Sequence, residues 1–164
     1  MMNQPLNGPL ETGLRVLTIL TSAFPEAYDI NALAFLDYSL LHSEEFGGPE
    51  SLHPDVPNHT SEIAIKRELL ELGLQVMIRA RLVTLQAGSG GIGYAATDNA
   101  PGFVELLESS YMHQLRNRAD WVIEAFGSAN SADIREKMSA LGRWPEFVDP
   151  PGPSPRRRME ATDE

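Results

Sequence analysis

The sequence predicts a mainly α-helical fold with one small β-hairpin, and three observations carry that prediction. Apolar residues recur at helical spacing in several stretches, two short β-prone runs flank Gly88-Ser89-Gly90-Gly91, and proline dominates after Trp144. At 164 residues, with 42% hydrophobic and 22% charged side chains, the chain supports one hydrophobic core and not two.

The first helix begins near Leu10, with Leu14, Leu17 and Phe24 on one stripe and Val16, Ile19 and Ala23 widening it. A helix this apolar is expected to be buried on more than one side, and Pro25 ends it. Asp29 is a suitable N-cap for a second helix over about residues 30–42, whose inward residues are Ile30, Leu33, Leu40 and Leu41. Asp37 falls on that inward face, where a carboxylate needs hydrogen-bond partners. Helical spacing then vanishes from Ser43 to His59. Gly47-Gly48-Pro49, His53-Pro54 and Val56-Pro57 limit this loop's freedom, while Phe46, Leu52 and Val56 pack it down.

A third helix covers about residues 60–81. Ile65, Leu69, Leu72 and Val76 form one apolar row with Leu70, Leu74 and Met77 beside it, and Glu62/Lys66 and Arg67/Glu71 are i,i+4 pairs. Residues 82–86 and 92–96 read as strands joined by the glycine-rich turn. Three helices followed by a hairpin is the order of a winged-helix domain. Pro101 opens a fourth helix, interrupted near Ser109-Ser110 and stopped by Gly127, and a short helix follows over about residues 131–141. The expected organisation is a flexible lead at 1–5, a winged-helix-like core at 6–97 with its ordered loop at 43–59, C-terminal helices at 98–144 packed on the core, and a disordered Pro/Arg/acidic tail at 145–164.

Charge narrows the function classes. The formal net charge is −10, and up to Pro57 the only basic residue is Arg15. Such a chain repels phosphate unless its fold segregates a positive face. No apolar run approaches the roughly 20 residues that span a bilayer. The lead Met1-Met2-Asn3-Gln4-Pro5 carries neither the charge nor the apolar stretch of a secretory signal, so a cytoplasmic protein without membrane association is expected. The absence of cysteine removes disulfides, thiol nucleophiles and thiolate metal sites.

Several tempting sites weaken on their spacing. His42, His53 and His59, with Glu44, Glu45 and Asp55 nearby, match no compact metal-ligand pattern and are read as holding the loop. Asp37 and His42, five apart, point to different sides of a helix, so Asp37 is expected to anchor the loop by accepting N–H groups near Gly47-Gly48 or Ser51. The glycine-rich turn lacks the Gly-Lys-Ser/Thr ending of a phosphate loop and leads into no helix. No catalytic residue, cofactor, metal or small-molecule substrate is therefore expected.

The stretch Leu6-Asn7-Gly8-Pro9-Leu10-Glu11-Thr12-Gly13-Leu14-Arg15 resembles the opening of the middle component, type 2, of bacterial ABC-three-component systems. Leu36-Asp37-Tyr38, His42-Ser43, Gly47-Gly48-Pro49 and Ser51-Leu52-His53-Pro54 continue the resemblance in order, and Lys66-Arg67-Glu68-Leu69 and Gly73-Leu74 follow it on the third helix. The likeness runs from about Leu6 to Phe126. It implies an accessory subunit that docks on an SMC-like ABC ATPase and works with an effector, often a nuclease, as in the Lamassu anti-phage and anti-plasmid systems. DNA would then be met indirectly, through the complex.

The expected partner-binding surface combines Gly47, Gly48, Pro49, Leu52, His53 and Pro54 with Tyr111, Arg116, Arg118 and Trp121. The alternative is an autonomous winged-helix DNA-binding regulator, for which Lys66 and Arg67 on the third helix would supply the contacts. Glu62, Glu68 and Glu71 interleave with that pair, and a mixed-sign face is more usual in a solvated helix or a protein interface.

Overall fold

In the computed structural model, residues 8–52, 59–88 and 91–129 are described, together with 133, 134 and 136; for 59–66 the description is of backbone alone. The expected lead at 1–5 and tail at 145–164, most of the last short helix, and His53 and Pro54 lie outside the described residues.

The spine is α1 (Pro9–Ser22), which starts on a proline in its first turn and is buried on nearly every side. It sends Val16, Leu17 and Leu20 into one apolar cluster and Ile19 into another, so both halves of the core share it. Next comes α2 (Ile30–Leu41), capped as expected, with Asp29 Oδ1 accepting from the Ala32 amide at 2.7 Å. Its burial runs almost around the helix, including Phe35, Leu36 and Leu40. A single 3-10 turn at Ser43–Phe46 follows, ended by Gly47 in the left-handed region at φ 73°.

The long helix α3 (His59–Arg79) crosses α1 at backbone distance. A Cβ placed on Gly73 would lie 2.7 Å from the Gly13 amide nitrogen, and one on Gly13 would lie 2.9 Å from the Gly73 carbonyl oxygen. That close approach decides which side of α3 faces inward. Leu70, Leu74 and Met77, which share Gly73's side, are buried, whereas Leu72 and Val76 are 40% and 38% exposed. Of the two adjacent apolar rows expected from spacing, the one with Leu70, Leu74 and Met77 thus faces the core, while Leu72 and Val76 of the other face outward.

Arg81, at φ 61°, turns the chain into β1 (Val83–Gly88), which pairs antiparallel with β2 (Gly91–Ala96) from Val83↔Ala96 to Gly88↔Gly91. Tyr28, between the first two helices, forms a bridge with Tyr94 on the far side of β2. This order is compatible with a winged-helix arrangement.

The expected fourth helix is two. The first, α4 (Ala100–Glu105), is short; α5 (Ser110–Phe126) restarts with Ser109 Oγ accepting from the Met112 amide at 3.2 Å. Met112, Leu115, Ala119, Val122 and Phe126 recur at helical spacing along α5 and pack on α1 and α2.

Candidate partner-binding surface

Arg15 and Asp37 are buried together between α1 and α2. Arg15 Nε donates to Asp37 Oδ1 at 2.8 Å and Nη2 donates to Oδ2 at 3.2 Å, a side-on two-bond pair with side chains only 4% and 8% exposed. Burial by itself would lower the Arg15 pKa, but the charge and hydrogen bonds of Asp37 outweigh it and hold the guanidinium above its ordinary value. Half-buried Tyr111 lies within the field of the pair. Burial raises its phenol; Arg15 pulls it down, and Asp37 pushes it up.

Asp37 therefore serves a different partner from the one expected. The Gly48 amide donates to Ser43 O and the Gly47 amide to Glu44 O, while Ser51 Oγ accepts from the Glu44 amide. The loop closes on its own backbone, and the carboxylate is matched by the only cation in the first third of the chain.

The loop is instead held from three other places. Ser43 Oγ donates to Pro49 O at 2.7 Å, and the Leu52 amide donates to Leu41 O at 3.0 Å. Phe46 inserts edge-on among Phe35, Tyr38 and Phe126, with ring centroids 5.7, 6.2 and 5.5 Å apart. Tyr38 OH donates to Glu45 Oε2 at 2.8 Å, and the Tyr38 ring tilts over the buried His42, 4.6 Å away. From α5, Arg118 Nη2 donates to Glu50 O at 2.6 Å. Gly48 meets the Trp121 ring so closely that any Cβ there would overlap it.

The structure thus brings Gly48 against the Trp121 ring and the Glu50 carbonyl against Arg118, while Leu52 packs on the same apolar cluster as Trp121. Gly47 is exposed. Trp121 is half-buried, edge-on to Phe126 at 5.9 Å. Arg116 sits elsewhere along α5. Its Nη2 donates to Leu107 O at 3.2 Å, closing the break between α4 and α5, and lies 3.2 Å from His113 Nδ1. Of the pair named for DNA contact, Arg67 is exposed with Nε 3.9 Å from Glu71 Oε1, and the Lys66 side chain lies outside the described residues.

Sequence reasoning missed three participants. Glu50 contributes a carbonyl, which no side-chain pattern announces. Glu45 is the acceptor for Tyr38, and Arg15 neutralises Asp37. Only the last had a signal: Arg15 is the one cation of α1 and Asp37 the one charged residue of α2. Among the described residues, no helix is long and apolar enough to cross a membrane.

A family model described as ABC-three component (ABC-3C) system Middle Component 2 matches residues 5–144. No curated protein and no solved structure matches the chain. The matched segment takes in the Gly13–Gly73 crossing, the Arg15–Asp37 pair and the whole loop–α5 patch. The chain belongs to the middle component 2 family of ABC-three component systems.

Proposed function

We propose that this accessory subunit is a non-catalytic, cytoplasmic adaptor that docks on the SMC-like ABC ATPase of its own system and governs activation of the effector, as in defence systems of the Lamassu kind. The observation that supports this best is the patch where Gly48, Pro49 and Glu50 are fastened to Arg118 and Trp121. A loop tied by backbone hydrogen bonds and an aromatic contact has lost its freedom before any partner arrives, so binding costs it little further entropy. Tryptophan, tyrosine and arginine are also the residue types that most often dominate protein interfaces.

Charge supports a protein partner over DNA. The exposed side of α3 carries Leu72 and Val76, which offer nothing to phosphate, and of its two exposed, described cations, Arg67 and Arg79, the first stands beside Glu71, in a chain of net charge −10. The test is a binding titration of the purified ABC ATPase with the wild-type chain and with Arg118→Ala and Gly48→Ala. Affinity is expected to fall at least about tenfold in both variants. Unchanged affinity in both would remove the loop–α5 patch from the interface.

A further inference from the structure

From Leu82 to Thr97 the chain carries no charged side chain, although 22% of its residues are charged. This is the β1–β2 hairpin, and its two-stranded sheet leaves the outer edge of β1 without a neighbouring strand among the described residues. The bridge on the other side fixes which backbone groups use that edge. Tyr28 and Tyr94 exchange both bonds, at 3.0 and 2.8 Å, so the Tyr94 amide and carbonyl point away from β1. Antiparallel pairing alternates, and Leu85, opposite Tyr94, must likewise turn its N–H and C=O away from β2. Ala87, two residues on, does the same, while Gln86 and Gly93 point at each other.

One face of the hairpin along this edge is apolar, with Thr84 and Gln86 on the other. Val83, Leu85, Ala87, Ile92, Tyr94 and Ala96 share one face by register. At the root, Val83 and Ala96 are buried in the core, but farther out Leu85 is 52% and Ile92 62% exposed. Protein sheets ordinarily guard an open edge with lysine, proline or a bulge, because it is a template for another strand. Here β1, Val-Thr-Leu-Gln-Ala-Gly, carries no lysine and no proline, and its pairing with β2 runs without a bulge.

We propose that the outer edge of β1 accepts an extended, uncharged segment of a partner protein as an added strand. The partner chain is the ABC ATPase, a choice that rests on the assembly reading above. A second copy fits less well. A six-residue edge falls far short of the roughly 800 Å² per partner of a stable dimer, and two chains each of net charge −10 repel. A strand tethered by a larger contact elsewhere needs only a few main-chain hydrogen bonds to dock.

Residue-resolved amide hydrogen exchange on the full chain, free and bound to the purified ABC ATPase, tests this. The Leu85 and Ala87 amides should exchange freely in the isolated chain and slow by about 100-fold in the complex, while Gln86 is protected in both. Ala87→Pro removes an outward N–H without breaking the β1–β2 ladder and should weaken assembly at least about tenfold; Leu85→Lys, which only charges the edge, should do the same. A complex that forms while both amides still exchange freely, or that tolerates both variants, overturns this inference alone. A chain that does not bind the ATPase overturns the assembly reading and this inference with it.

Discussion

Asp37 shows what a single buried charge demands. It sits at 5% exposure on a helix lined with leucine and phenylalanine, and two hydrogen bonds from Arg15 make that position tenable. Asp37→Ala leaves a buried guanidinium without its counter-charge, and unfolding titrations should show a loss of about 3–5 kcal/mol. The double change Arg15→Met with Asp37→Leu should lie much nearer wild type than either single variant, because the desolvation cost leaves with the charges. Two tyrosines set a pH dependence of the opposite edge. Burial lifts the Tyr28 phenol above its ordinary 10.0, with Glu26 adding to it, and burial lifts Tyr111 likewise. The folded chain then holds protons that the unfolded chain has released, so stability falls as pH rises from about 10 through the folded values. Tyr28→Phe and Tyr111→Phe should each flatten that alkaline decline in denaturant titrations; a slope as steep as wild type in both would remove these phenols as its cause.

At the scale of elements, the glycines decide more than the apolar rows do. Gly73 lets α1 lie against α3, and Gly73→Ala drives a Cβ into the Gly13 amide and Pro9 O, at a cost of about 1–3 kcal/mol. Gly102 in α4 has open space around its Cβ position, so Gly102→Ala should stabilise by about 0.4–1 kcal/mol through the unfolded chain. Thermal melts of the two variants should move in opposite directions. The helices and hairpin were legible because local signals agree: Asp29 caps α2, Ser109 restarts the chain, and the paired strands flank a glycine turn. The inward side of α3 was not legible from spacing, since two adjacent rows are both apolar and only the crossing at Gly73 chooses between them. The candidate patch was legible as two separate segments. Their junction depends on Glu50's carbonyl and on a glycine under Trp121, and neither contact has a sequence period.

On the scale of the whole molecule, the charges and apolar groups divide the surface by task. The sole cation before residue 58 is buried on Asp37, Arg116 and Arg118 donate to carbonyls of their own chain, and the hairpin carries no charge. The exposed cations among the described residues are Arg67, Arg79 and Arg81, in a chain of net charge −10, and the loop–α5 patch and the β1 edge are the two surfaces we propose for protein partners. Membership of the middle component 2 family makes the ABC ATPase of the same system the partner to try first. The most direct measurement is the mass, by light scattering after size exclusion, of what elutes when this chain and that ATPase are co-expressed. One co-eluting species containing both chains is expected; elution of this chain apart from the ATPase, at or near its own 18.1 kDa, would contradict an adaptor docked on it.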